Sequence, residues 1–243
     1  MKDFLERVKT GIPGLDKIIE GGFPKNSLII VSGSPGSGKS IFCLQYIYYG
    51  AKNNEPGLYI TLEEDPKDLK EAGKKVGMDF DKLKNCKIIK PSEIRDYPDL
   101  QKIIEEEIKK LKAKRLVIDS LSSLEALCST FESVGKGISL IRLREGYKVA
   151  PEKRAIIRRF LYNFIHHIKS LEVTGILTSE VHNARYSPSG IAEYVVDGII
   201  KLEYEAVGNI VQRSIFIPKM RKTNIKAGRL GMEIGKGGIK IIE

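Results

Sequence analysis

The 243-residue chain has no tryptophan and only three cysteines, Cys43, Cys86 and Cys128. No two cysteines form a C-x-x-C pair, and an odd count argues against a disulfide framework. No apolar run is long enough to span a bilayer, and the opening MKDFLERVKT has no apolar signal core. Membrane insertion and secretion are therefore not expected, and a cytoplasmic location is. His166 and His167 are adjacent, so they do not share a helical face and are poor joint metal ligands. There is no internal repeat, no low-complexity segment and no aromatic–basic pattern suited to stacking single-stranded nucleic acid.

Charge is plentiful but not sorted. Lys and Arg outnumber Asp and Glu by 41 to 31, a net charge of +10. The basic residues are interspersed with glutamates, which suits solvated helix faces better than one binding stripe. A basic balance fits a polyanionic small ligand as well as nucleic acid. Abundant Lys, Glu and Ile with three Gln suits a thermophile.

The informative stretch is residues 27–50, SLIIVSGSPGSGKSIFCLQYIYYG. Leu28, Ile29, Ile30 and Val31 read as a buried strand. A Gly/Ser/Pro turn follows, and then Ile41, Leu44, Tyr48 and Ala51 fall on one side of a helix. Gly33, Gly38, Lys39 and Ser40 match G-x-x-x-x-G-K-[ST] in the strand–loop–helix context that the motif requires. The backbone of such a loop turns its N–H groups toward an anion, and the helix N-terminus adds positive potential. Lys39 is expected to pair with the β- and γ-phosphates and Ser40 to ligate Mg²⁺. Pro35 and Ser37 shape the loop.

Further apolar segments end in functional residue types. Residues 58–62 predict a second buried strand, followed by Glu63, Glu64 and Asp65. Carboxylates at such a tip can orient and deprotonate a water, while Asp65 before Pro66 serves equally as a helix cap. Residues 86–89 predict a third strand, and 115–119 a strand ending in Asp119, a carboxylate placed to face Mg²⁺. Residues 173–179 predict a strand whose tip carries Thr178, Ser179 and Glu180, where a hydroxyl could sense the γ-phosphate or hold water. Helices are predicted over 67–84, 99–112 and 151–171. Residues 195–204 and 211–218 alternate as an antiparallel pair joined near Gly208 and Asn209, ahead of the basic 219–224. Two short strands close the chain. Residues 1–26 read either as a lid with a short helix at 15–19 or as a linker of turns, and 120–150, after a helix start, as exposed basic chain, either a surface insertion or a loop facing a partner or a central channel.

TGIPGLDKIIEGGFPKNS, GSPGSGKS, YITLEEDP, RLVIDSL, LTSE and IPKMRKTN occur in that order, and together they resemble the KaiC-like branch of the RecA-superfamily P-loop ATPases, single-domain archaeal type. The resemblance spans essentially residues 1–243 as one domain. It implies an α/β fold with a mostly parallel sheet flanked by helices and antiparallel strands toward the C-terminus. It also implies slow ATP hydrolysis in a ring, often a hexamer, with ATP at subunit interfaces. Ser34, Pro35, Gly36, Ser37, Gly38, Lys39 and Ser40 would hold the phosphates, with Ser179 and Thr223 as further nucleotide contacts. Ser40 and Asp119 would hold Mg²⁺, Glu63 and Glu64 match the catalytic glutamate pair, and Lys219 and Arg221 match residues reaching a neighbour's γ-phosphate. Three roles stay open: a nucleotide-dependent switch or scaffold, a DNA-binding recombinase-type ATPase, and an ATP-binding subunit of a larger motor with an unknown protein partner.

Overall fold

The structure is a computed structural model. It describes residues 5–92, 94, 97–128, 153–181, 185–207, 210–225 and 228–242. Of the basic segment expected at 120–150, residues 129–150 lie outside these residues, as does the turn at 208–209.

A nine-stranded sheet runs through the molecule. Its central strands are β3 (Leu28–Gly33), β4 (Gly57–Thr61), β5 (Cys86–Ile89), β6 (Arg115–Asp119), β7 (Thr174–Ser179) and β8 (Gly198–Val207). β9 (Ile210–Met220), β10 (Leu230–Gly235) and β11 (Gly238–Ile242) extend one edge, in the order β11-β10-β9-β8-β3-β7-β6-β4-β5. The pairs from β8 to β5 are parallel, and the β8–β9, β9–β10 and β10–β11 pairs are antiparallel. Both the α/β class and the antiparallel C-terminal edge match the expectation.

The central strands read as unbroken apolar runs because both faces of the sheet are covered. Ile29 and Val31 of β3 and Tyr59 of β4 enter one core with Phe42, Leu44 and Ile47 of helix α2 (Lys39–Lys52). Leu28, Ile30, Leu58 and Ile60 enter the other, with Leu100, Ile104 and Ile108 of α4 (Tyr97–Leu111) and Phe160, Leu161, Phe164 and Ile165 of α6 (Lys153–Ser170). Helix α3 (Pro66–Lys75), ended before Gly77 at φ +88°, adds Leu69 to the first core, and α5 (Leu121–Cys128) adds Leu121 and Leu124 to the second.

Two segments pack more tightly than periodicity alone implies. Helix α2 buries Phe42, Cys43, Tyr46 and Ile47 as well as Leu44 and Ala51, because the β10–β11 hairpin covers a second side of it. The N-terminal segment is not a linker. Its strands β1 (Arg7–Val8) and β2 (Phe23–Pro24) pair antiparallel around helix α1 (Leu15–Ile18). Ile12, Leu15, Ile19 and Phe23 are at most 2% exposed, in the same core as Ile29.

Candidate functional site

The parallel register sets the carboxyl tips of four strands side by side. Ser32 pairs with Ser179, Ile118 with Leu177, and Thr61 with Asp119. The glycine loop at 34–38 leaves the tip of β3 and opens directly into α2. Such a row of strand tips is where α/β sheets bind ligands.

The loop's glycines are required by geometry. A methyl group at Gly33 would lie 2.4 Å from Ser37 Oγ and 2.6 Å from the Leu202 carbonyl oxygen. At Gly38, φ is +103° and a methyl group would meet Ile234 Cδ1 at 2.7 Å. The Lys39 ammonium folds back over the loop and donates to the carbonyls of Gly33 (2.9 Å) and Ser34 (3.2 Å). This sets a cation above a cradle of N–H groups. The buried hydroxyls of Ser32 and Ser37 have no hydrogen-bond partner.

The acidic residues divide by role. Asp119 is 6% exposed. Tyr59 donates to its Oδ2 at 2.5 Å, and Thr178 donates to its Oδ1. Burial pushes the Asp119 carboxyl above the usual aspartate range, while these two hydroxyls and Lys39 pull it back. Glu63 Oε1 accepts hydrogen bonds from Ser120 and, at 2.6 Å, from Ser123. Lys90 donates to the Glu63 carbonyl at 2.5 Å. Glu64 Oε1 accepts from the Ser40 hydroxyl at 3.0 Å, so the second glutamate meets a residue expected to hold the metal. Asp65 takes the structural option: its Oδ1 accepts from the Lys67 N–H at 2.8 Å and caps α3, with Pro66 at the first helical position.

Ser179 is fully buried beside Ser32, and its hydroxyl turns to the Glu180 carbonyl at 3.4 Å. Thr178, one position earlier, is the hydroxyl that meets Asp119. Sequence reasoning missed Tyr59, Ser120 and Ser123 in this cluster. Their signal was present: Tyr59 lies two residues before the strand tip, and Ser120 directly follows Asp119.

Lys219, Arg221 and Thr223 lie elsewhere. Lys219 pairs with Ile199, which pairs with Ile30, and the Arg221 N–H donates to the Asp197 carbonyl, level with the start of β3. Gly33 lies three residues beyond Ile30 and five beyond Leu28, roughly 10 and 16 Å at strand rise. The arm therefore leads away from the loop that follows Gly33, with Lys219 partway along β3 and Arg221 at the amino end of the sheet. The Lys219 ammonium donates to the carbonyls of Glu193 (2.8 Å) and Val196 (2.7 Å), at the end of helix α7 (Ala192–Val195). Burial holds its pKa below the ordinary lysine value of 10.5, and the neighbouring Arg221 lowers it further. Arg221 donates to the Tyr194 carbonyl at 3.1 Å and lies 3.5 Å from Asp197. Beside them a cavity of about 770 Å³ is lined by Arg158, Tyr162, His166, Lys169, Tyr194 and Arg221. The Tyr194 ring is 79% exposed on this face.

A glycine loop between a central parallel strand and its helix, with carboxylates at the tips of neighbouring strands, defines the P-loop class of nucleotide-binding α/β proteins. The family model described as "ATPase: KaiC" matches residues 8–139 and 145–243. The chain belongs to the KaiC ATPase family. It is 30% identical to a UPF0273 protein of Thermotoga maritima over 98% of this chain and 96% of that one. It is 32% identical to a UPF0273 protein of Saccharolobus solfataricus over 97% of this chain and 82% of that one. The crystal structure of a KaiC-like protein from Pyrococcus horikoshii superposes with a TM-score of 0.80 at 33% identity, covering 98% of this chain and all of that one.

Proposed function

We propose that residues 1–243 form one ATP-hydrolysing unit that assembles into a ring, often a hexamer in this family, and works as a nucleotide-dependent switch or scaffold. One observation carries the reading. Along β3 the phosphate loop is separated from the level of Lys219 by roughly 10 Å and from that of Arg221 by roughly 16 Å, the arm leading toward the amino end of the sheet. One chain cannot close both around one triphosphate. A head-to-tail neighbour can, and such heterologous contacts generate rings.

In this reading residues 34–40 hold the triphosphate, and Lys39 leaves the Gly33 and Ser34 carbonyls to pair with the β- and γ-phosphates. The oxygen donors of Ser40 and Asp119 suit Mg²⁺, which takes few protein ligands beside phosphate oxygens and water. Among the described residues no three of His, Cys, Asp or Glu form a self-sufficient metal cluster, in keeping with a metal bound together with the nucleotide. Held by Ser40 and Asp119 together with the nucleotide, Mg²⁺ would supply positive charge that offsets the charge developing on the phosphates. Glu63 and Glu64 orient and deprotonate the attacking water, and the Ser179 hydroxyl supports that end of the site. Lys219, Arg221 and Thr223 approach the neighbour's γ-phosphate, in the manner of an arginine finger supplied in trans. Turnover is slow, since the Glu63 carboxylate is already held by Ser120 and Ser123 and must give up a hydroxyl to reach water. No described helix is long and apolar enough to cross a membrane, and we read the protein as cytoplasmic.

Mass in solution by light scattering, with and without Mg²⁺-ATP, tests this on wild type and Lys39→Ala. A ring that forms with nucleotide and is lost in Lys39→Ala is expected. A monomer in every condition, with turnover unchanged by Arg221→Ala, refutes it.

A further inference from the structure

Arg7 is the most heavily bonded side chain near the basic arm, and neither the phosphate loop nor the acidic cluster uses it. Its side chain is 13% exposed. Nη1 donates to the carbonyls of Ile19 (3.1 Å) and Gly22 (3.2 Å) and to Thr223 Oγ1 (2.8 Å). Nη2 donates to Glu20 Oε2 and to the Lys222 carbonyl, both at 2.8 Å. Three of these acceptors belong to the N-terminal segment and two to the turn of the arm. At that turn Lys222 has φ +57°, and Thr223 donates on to the Arg221 carbonyl at 3.2 Å. One guanidinium thus fixes the backbone of the turn and the hydroxyl of Thr223 in the same geometry.

The other end of the N-terminal segment is tied to the phosphate-loop helix. Gln45, buried in α2, donates to the Gly11 carbonyl at 2.9 Å and to the Ile239 carbonyl at 3.0 Å, and its Oε1 accepts from the Ile239 N–H at 2.6 Å. Gly11 approaches α2 so closely that a methyl group there would lie 2.3 Å from Tyr49 Cβ. Thr10 donates to Asp16 Oδ1 through both its N–H and its hydroxyl, at 2.9 and 2.7 Å. Residues 7–24 therefore bridge the helix that carries the chain's own phosphate site and the arm at the far end of the sheet.

We propose that Arg7 is a positioning residue for ATP turnover at the neighbouring subunit: it clamps the 221–223 turn onto the N-terminal strap, so that the arm is presented to the adjacent phosphate site in one fixed geometry. The proposal rests on the ring reading above. Arg7 touches no nucleotide; it acts through Arg221 and Thr223. An arm with its turn released keeps its charges and loses its aim. Displacement of a reacting group by about 1 Å costs on the order of a hundredfold in rate, so Arg7→Ala lowers kcat by roughly ten- to a hundredfold. Binding of nucleotide to the variant's own phosphate loop, read with a fluorescent ATP analogue, stays within about twofold, because the Gln45 tie is intact. Arg7→Lys, with one ammonium in place of the two Nη groups, falls between wild type and Arg7→Ala.

Mixed rings provide the test. Subunits carrying Glu63→Gln and Glu64→Gln together keep Lys39, bind nucleotide and enter the ring, but their own site does not hydrolyse and their arm is sound. Mixed one to one with arm-defective subunits, roughly one interface in four joins a sound phosphate site to a sound arm. Turnover of Arg221→Ala mixed with this double variant is the control: recovery to roughly a quarter of wild type supports the ring reading, and no recovery sinks that reading itself. Once the control recovers, Arg7→Ala mixed with the double variant must recover to the same level. If Arg7→Ala alone turns over like wild type, or loses its own nucleotide affinity and gains nothing on mixing, Arg7 does not position the arm and the proposal is overturned. Should Arg7→Ala fail to fold, Arg7→Lys enters the same mixing experiment: recovery on mixing supports the clamp, and wild-type turnover without mixing overturns it.

Discussion

Tyr59→Phe removes one oxygen atom and leaves the ring in place, so its effect isolates the bond to Asp119. Both residues are buried, Tyr59 completely and Asp119 to 6% exposure, and the O–H donates across 2.5 Å to a carboxylate. A hydrogen bond to a charged group contributes about 1.5–3 kcal/mol, and a buried carboxylate short of a donor has no water to replace it. No cavity opens, since phenylalanine fills the same space. The expected loss is about 2 kcal/mol, which for a chain of this size lowers Tm by roughly 4–8 °C. Metal-free protein in EDTA, followed by circular dichroism on heating, supplies the measurement. Thr178→Val, which removes the donor to the other oxygen, behaves similarly. The two together cost less than their sum, because they serve one carboxylate. In an Asp119→Asn background the charge is gone, and Tyr59→Phe shrinks to about 1 kcal/mol, the value for a neutral pair. If Tyr59→Phe costs the same in both backgrounds, or nothing in either, the Asp119 carboxylate is not what Tyr59 serves.

Gly38→Ala combines a φ of +103° with a 2.7 Å approach to Ile234; nucleotide affinity, read by fluorescence titration, drops roughly five- to thirtyfold, as about 1–2 kcal/mol of left-handed strain implies. Asp65→Ala loses the cap on α3 and about 1 kcal/mol of stability but keeps ATP turnover, whereas Glu63→Gln and Glu64→Gln keep the fold and lower kcat; equal turnover in all three would dissolve the division of roles among these carboxylates. Lys219, held below 10.5 by burial and by Arg221, loses its charge on the acid side of that value. If its ammonium serves turnover, activity falls as pH rises through the lowered pKa, and Lys219→Arg stays active to higher pH in a pH–rate series. Stability moves the other way: the unfolded chain binds the proton more tightly, so folding gains as pH climbs from the lowered pKa toward 10.5.

How much of this was legible in the sequence follows from how local each signal is. The strand–loop–helix at 28–52 and the strand at 115–119 are set by contiguous residues, and the sheet bears them out within a residue or two. Register is not local. That Thr178 rather than Ser179 meets Asp119 depends on which way each side chain leaves β7, a property of pairing with β6 and β3. Tyr59 looks in sequence like any aromatic in a buried strand, and its role depends on the two-residue alternation that aims its hydroxyl at the neighbouring strand's carboxylate. Arg7 was illegible for the same reason at longer range. Its partners on the arm are more than two hundred residues away, so one arginine ahead of a turn-rich segment carries no sign of them. Residues 1–26 read equally as lid or linker because Gly and Pro spacing says where the chain bends and not what it packs against.

If the subunits form the proposed ring, the position of the basic arm makes turnover depend on assembly. β8 runs parallel to β3 and β9 returns antiparallel, so a residue at the end of β9 is carried back to the end of the sheet where β3 begins. The carboxyl end holds the phosphate loop and Glu63, Glu64 and Asp119; the amino end holds Arg221, with Lys219 partway along β3. Each set keeps internal partners: Ser40, Ser120 and Ser123 for the glutamates, the Glu193 and Val196 carbonyls and Asp197 for the cations. In the proposed ring, head-to-tail contact would bring the two ends together with ATP between them as a partner for each. Nucleotide occupancy and subunit contact would then favour one another by linkage, which is what the proposed nucleotide-dependent switch requires.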